Sequence, residues 1–243
     1  MKLIILAAGQ GTRLRPLTNN IPKCMVKYQD KPLIDYILEV TKDIEKRYIV
    51  TGYKSEVLKE YLKEQNLTFI YNKNYNKTNM VTSLFCAKEF MNDDLIISYS
   101  DIIYKKEVIE KLIKSKYDIS VVVDKQWKKL WLQRMQNPLD DAETLKIKDN
   151  KIIELGKKTK DYSEIEGQYI GLIKISKNTI QKILAFYNNL SKDRYYDNKD
   201  FDNMYLTSFI QLIIDNLYDV NPIFINGSWL EVDCIEDLNT KMI

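Results

Sequence analysis

Between Gly9 and Lys23 the chain gathers two glycines, a threonine and three cations: Gly9-Gln10-Gly11-Thr12, then Arg13 and Arg15, then Lys23 behind a proline. Glycines at alternate positions permit positive φ and let main-chain amides reach a ligand with no Cβ in the way. Amides and cations converging on one loop form a cradle for a polyphosphate. Asp101 and Asp233 could complete it, since each follows an apolar run (residues 94–99 and 229–232). Two strand-end carboxylates can share Mg²⁺, which prefers oxygen ligands and keeps its waters while binding phosphates. Either aspartate alone could equally cap the following helix; together, beside this loop, they predict a metal site. The chain has no histidine. That absence removes Ser-His and Cys-His nucleophile chemistry and histidine metal centres. Catalysis must rest on carboxylates, lysine, backbone donors or a metal ion.

Two familiar glycine loops do not fit. The ATPase phosphate loop requires Gly-Lys five residues after its first glycine, and the dinucleotide loop requires a third glycine; Leu14 stands at that place. A plain dinucleotide-binding module is therefore disfavoured.

The elements that must hold these residues follow from periodicity. Residues 2–8 form an unbroken apolar run, the pattern of a strand buried on both faces of a parallel sheet. Helical spacing predicts helices over 31–44, around 57–62, over 80–91, and around 108–113, 180–187 and 206–217. Strands are expected at 47–52, 67–71, 94–99, 119–123, 168–175, 220–225 and 229–232, with a short last helix from Ile235. Alternating strands and helices of this size imply α/β architecture with right-handed crossovers. From Asp124 the texture changes: 126–138 is aromatic and basic, and 144–148 and 151–155 read as a hairpin turned by Asp149-Asn150. One domain spanning 1–243 is expected, with an inserted portion at about 124–205.

Composition bounds the rest. Of 243 residues, 29% are charged and 45% hydrophobic, as in a globular protein able to bury a large core. A net charge of +3 on scattered lysines gives no case for nucleic acid. No apolar run approaches membrane-spanning length, and the first residues read as a core strand rather than a signal peptide. A cytoplasmic protein is expected, with Cys24, Cys86 and Cys234 as reduced, buried thiols.

The run Leu6-Ala7-Ala8-Gly9-Gln10-Gly11-Thr12-Arg13-Leu14-Arg15-Pro16-Leu17-Thr18, with Pro22-Lys23-Cys24-Met25-Val26 behind it, resembles the opening motif of nucleotidyltransferases that make activated sugars and alcohols. The string 74–84, together with 141–144, 164–172 and 201–209, is similar to the choline-phosphate cytidylyltransferase branch. Lys-Cys-Met-Val, Lys-Thr-Asn-Met-Val and Asn-Met-Tyr-x-Thr-Ser-Phe further resemble the members that act on phosphorylated glutamine in bacterial capsule phosphoramidate synthesis. The resemblance implies a Rossmann-like nucleotidyltransferase fold, with a mixed, mostly parallel central sheet, helices on both faces and a small antiparallel insertion.

It also implies an enzyme that transfers CMP from CTP to a small phosphorylated acceptor with Mg²⁺ as cofactor, releasing pyrophosphate. Lys23, Arg13 and Asp101 would be catalytic, and Asp101 and Asp233 would hold the metal. Leu6, Ala7, Ala8, Gly9, Gly11, Thr12, Arg13, Lys23, Thr78, Asn79 and Ser83 would bind the nucleotide. L-Glutamine phosphate is the expected acceptor; phosphocholine and sugar 1-phosphates stay open, as does monomer or homodimer. An idle regulatory homologue would be expected to lack Lys23, Asp101 or Asp233, and all three are present.

The acceptor site is expected among Trp127, Trp131, Tyr169, Tyr195, Tyr196, Tyr205 and Trp229, which could cage a quaternary amine or simply pack. A zwitterionic acceptor needs fixed charges instead. Arg134 is the expected clamp for its carboxylate and Glu166 the opposing anion.

Overall fold

Lys2–Ala7 sends Leu3, Ile5 and Ala7 into one hydrophobic core and Ile4 and Leu6 into another. Its unbroken apolar run is thus a strand with no solvent face. In the computed structural model, which describes residues 1–243, this strand lies within a seven-stranded sheet. The spatial order is Asn221–Ile225, Ile119–Asp124, Gln168–Ile175, Leu95–Tyr99, Lys2–Ala7, Lys46–Thr51, Thr68–Tyr71. Lys2–Ala7 pairs in parallel with both neighbours, and the two outermost pairs are parallel as well. Gln168–Ile175 alone runs antiparallel, to the strands on each side of it. The sheet is therefore mixed and mostly parallel. The segment 124–205 supplies that central strand and is woven into the sheet.

One face is covered by helices Leu33–Val40, Lys106–Ile113 and Trp127–Arg134, the other by Met80–Phe85, Lys177–Asn189 and Leu206–Asn216. The residues that face inward follow helical spacing, for example Phe209, Ile210 and Ile213. The helix expected over 80–91 ends at Phe85 and resumes as a short 3-10 turn at Lys88–Phe90. The aromatic-basic stretch after Asp124 is helical too, because Trp127, Leu130 and Trp131 share one face and are buried there. The hairpin Glu143–Lys148 with Lys151–Lys158 turns at Asp149 and Asn150, whose φ values of 50° and 59° match a tight primed turn.

The strand expected at 229–232 forms at Trp229–Glu231 and pairs antiparallel, outside the main sheet, with Ile102–Tyr104, a three-residue strand too short to show a period. One expectation is corrected. Of the three thiols only Cys24 is buried, Cys86 being exposed and Cys234 half-buried.

The small ladder is anchored from the main sheet by Asp124, which is 1% exposed. Its carboxylate accepts from Trp229 Nε1 at 2.9 Å, Gln126 N at 2.8 Å and Gly227 N at 2.9 Å. Trp229 is itself among the largest fully buried side chains. Asp124→Ala leaves two buried donors and one partly buried donor without an acceptor, each costing ~1–3 kcal/mol. Chemical denaturation is expected to show a loss of at least about 3 kcal/mol; wild-type stability would show that Asp124 does not hold this ladder.

Candidate active site

Three carboxylates converge at the carboxyl end of the central strands. Asp101 lies in the two-residue step between Leu95–Tyr99 and Ile102–Tyr104. Because Glu231 pairs with Ile102, and Val232 N donates to Asp101 O at 2.9 Å, the ladder carries Asp233 back beside Asp101. Glu231 joins them, and an oxygen from each of the three lies within 4.8 Å of the others. Glu231 is a site residue that the sequence reading passed over. The signal was its place two residues before Asp233 in extended chain, where alternate side chains share a face.

Like charges this close need counter-charge, and three cations supply it. Lys23 Nζ donates to Asp101 Oδ2 at 2.6 Å and to Asp233 Oδ1. Arg13 reaches Asp233 Oδ1 at 3.1 Å. Arg134, with only 2% of its side chain exposed, donates through Nε to Asp237 Oδ1 at 2.9 Å, through NH2 to Asp237 Oδ2 at 3.2 Å and through NH1 to Glu231 at 3.2 Å. Asp237 Oδ2 in turn accepts from the main-chain amides of Asp233 and Cys234 at 2.7 and 3.0 Å. A buried Arg–Asp pair therefore sets the backbone on which Asp233 sits.

The protonation balance follows. Burial alone would lower the Lys23 pKa, but Asp101, Asp233 and Glu231 together hold it above its ordinary value. Burial would raise Asp233, yet Lys23, Arg13 and Arg134 hold its carboxyl low. Glu231 goes the other way: burial first, and then the charge of Asp233, push it well above the usual carboxylate range.

Two cavities flank the carboxylates. The first, about 120 Å³, is lined by Leu6, Ala7, Ala8, Gly9, Lys23, Cys24, Tyr75, Thr78, Asn79, Met80, Ser83, Tyr99, Ser100 and Asp101. The second, about 240 Å³, is lined by Arg13, Met80, Tyr99, Trp131, Asp141, Glu143, Lys158, Gln168, Tyr169, Tyr205, Thr207, Glu231 and Asp233. Met80 and Tyr99 belong to both walls. The first cavity thus supplies Asp101 and the second Glu231 and Asp233, so the carboxylates stand where the two meet.

Gly11 and Thr12 lie outside both linings, on the loop whose residues Gln10 to Arg13 donate to no main-chain carbonyl. Gly11 sits at φ 60°, and a Cβ there would come within 2.9 Å of Lys23 Cβ. Around the first cavity, Asn79 spends its side-chain oxygen capping the helix at Met80 N, 2.8 Å away. Asn72, 2% exposed, donates to both Thr78 Oγ1 and Ser83 Oγ at 3.0 Å and so orients them. It too was missed.

The expected acceptor residues divide. Trp131, Tyr169 and Tyr205 line the second cavity. Trp127 is packed edge-on against Trp131 in the core. Trp229 is bonded to Asp124, Tyr196 is buried and donates to Ser191 O, and Tyr195 is 72% exposed. Arg134 lines neither cavity; its fork is turned onto Asp237 and Glu231. Glu166 is exposed and accepts from Ile147 N at 2.8 Å, away from either cavity. The charged groups lining the second cavity are Arg13, Asp141, Glu143, Lys158, Glu231 and Asp233.

Residues 2–129 match the nucleotidyl transferase family, and the chain belongs to that family. Over its whole length it is 49% identical to the CTP:phosphoglutamine cytidylyltransferase of Campylobacter jejuni, covering 99% of that protein. It is also 39% identical over 120 residues to the choline-phosphate cytidylyltransferase of Streptococcus pneumoniae, 48% of this chain and 52% of that one. Among solved structures, the inositol-1-phosphate CTP transferase of T. maritima aligns with a TM-score of 0.78 at 19% identity, over 98% of this chain and 91% of that one. The CTP:phosphocholine cytidylyltransferase of Streptococcus pneumoniae aligns at 0.72 and 24%, over 97% and 95%. At such identities these two likenesses establish the fold.

Arg134→Ala would leave Asp237 and Glu231 without their cation, and breaking a buried pair typically costs ~3–5 kcal/mol. A large fall in melting temperature is expected, with both substrates affected. A variant as stable as wild type, with a higher KM for the acceptor alone, would return Arg134 to a substrate-clamping role.

Proposed function

We propose that this nucleotidyltransferase transfers CMP from CTP to L-glutamine phosphate, releasing pyrophosphate and forming CDP-L-glutamine for phosphoramidate modification of a capsule polysaccharide. The observation that carries the reading is the 49% identity, end to end, with the phosphoglutamine enzyme. The meeting of two cavities at one set of carboxylates agrees with a reaction joining two phosphorylated substrates.

No base is required. A phosphate monoester has a second pKa near ~6 and is largely dianionic at neutral pH. One of its oxygens attacks the α-phosphorus of CTP, the new P–O bond forms, and the bond to the β-phosphate breaks with its electron pair leaving on pyrophosphate. The chain's task is alignment and stabilisation of charge. Lys23, freed from the carboxylates, would turn to the α-phosphate. The unpaired amides of 10–13 and the Arg13 guanidinium would hold the departing phosphates. Leu6 to Gly9, Thr78, Asn79 and Ser83 would surround the nucleoside.

The donor set fits Mg²⁺: three carboxylates, all hard oxygen, with Asp101 Oδ1 buried and lacking any hydrogen-bond partner. Asp101, Glu231 and Asp233 would hold the ion, which supplies charge neutralisation at the reacting phosphates. A phosphocholine acceptor is the second reading, favoured by Tyr99, Trp131, Tyr169 and Tyr205 around one cavity.

The test is pyrophosphate release across CTP, UTP and dTTP against L-glutamine phosphate, phosphocholine and glucose 1-phosphate. CTP with glutamine phosphate is expected to be fastest; comparable turnover of UTP or a sugar phosphate would sink the proposal, and faster phosphocholine would favour the second reading. Lys23→Met, Asp101→Asn and Asp233→Asn are each expected to lose about a hundredfold or more in kcat. Near-normal rates in limiting Mg²⁺ for either aspartate variant would remove that residue from the metal site.

A further inference from the structure

We infer that the second cavity reads the head group of an amino-acid acceptor through a charge pair set across the hairpin, Glu143 taking the α-ammonium and Lys158 the α-carboxylate. This rests on the proposed acceptor class and goes beyond it by assigning the residues that choose it.

Glu143 and Lys158 face each other directly in the hairpin register, and both line the cavity that Glu231 and Asp233 also line. Directly opposed residues in an antiparallel pair have Cβ atoms roughly 4.5–5.5 Å apart. That spacing suits the two charges of an α-amino acid, which are carried on one carbon. The pair is not spent on itself. Lys158 Nζ donates to the main-chain oxygen of Asp141 at 2.9 Å and keeps further N–H groups to give. The Glu143 main chain is bonded at both ends to Gln168, while its carboxylate has neither a hydrogen bond nor an ion pair. Trp131 Nε1 is held by Asp141 at 3.0 Å, so the indole wall is fixed beside the pair. Tyr169 Oη, on the same wall, is buried and without a partner.

A carboxylate in that setting is costly to the free protein. Burial first, with Asp141 and Asp197 adding to it and Lys158 opposing, pushes the Glu143 carboxyl up to about 7. Its folded pKa lies above its unfolded one, so the penalty is absent below the unfolded value and grows as pH rises toward 7. A ligand ammonium would relieve it. For a trimethylammonium acceptor Glu143 would serve as well, but Lys158 would find no anion on the ligand and would repel the cation. The lysine is what distinguishes an amino acid from choline.

The experiment uses Glu143→Gln and Lys158→Met with CTP and three acceptors: L-glutamine phosphate, its analogue lacking the α-amino group, and its analogue lacking the α-carboxylate. Glu143→Gln is expected to raise KM for glutamine phosphate roughly ten- to a hundredfold and to leave the desamino analogue and the CTP KM unmoved. Lys158→Met should do the same with the descarboxy analogue as its indifferent partner. Glu143→Gln should also melt a few degrees above wild type at pH 8 with no ligand present, a gain that a structural role would not produce. Variants that raise KM equally for all acceptors, or for none, overturn the pairing while leaving the cytidylyltransferase reading intact. A wild-type enzyme that releases no pyrophosphate with glutamine phosphate overturns both.

Discussion

Three carboxylates held within 4.8 Å of one another set the problem that the surrounding structure answers. At an effective dielectric of about 20, two such charges 4 Å apart repel by ~4 kcal/mol, so the arrangement exists only because cations and fixed donors surround it. Lys23 bridges two of the three from the phosphate-loop side. Arg134 lies behind them, almost wholly buried, and ties Glu231 to Asp237. Arg134 is the deeper counter-charge, held by two bonds to Asp237; in the proposed reaction Lys23 would be the one to move.

The fold delivers these groups by two different devices. Lys23 and Asp101 reach the site in the usual way of parallel sheets, from the loops beyond strand ends. Glu231 and Asp233 arrive by a three-residue antiparallel ladder beside the main sheet, fastened by the Trp229 indole to Asp124. The helix Trp127–Arg134 links the two: one side of it packs Trp127 and Trp131 into the core, and its last residue reaches the carboxylates. Aromatic and cationic character in that segment thus serves mostly burial and charge compensation. Only Trp131 also lines the second cavity.

The two cavities share a wall, Met80 and Tyr99, and otherwise draw on different elements. The first cavity is built largely from the first strand, its loop and the start of a short helix. The second draws on the hairpin, the antiparallel strand Gln168–Ile175 and Tyr205. The hairpin lies outside the family match over residues 2–129, and the glycine loop lies inside it.

The sequence by itself determined the sheet, the loop and the two aspartates. Residues 2–8 could only be a strand buried on both faces, Gly9-Gln10-Gly11-Thr12 could only be a turn exposing amides, and Asp101 and Asp233 stood at the ends of apolar runs. Those are local properties, written in periodicity and residue type. The tertiary structure decided which charges met. Arg134 looked free to clamp a substrate because its partners Glu231 and Asp237 lie about a hundred residues away, and Glu166 looked like its counterpart although it caps Ile147 N. Glu143 and Lys158 became neighbours only through the hairpin register. Charge pairing depends on distance in space and on burial. A sequence states neither until the chain has chosen what lies across from what.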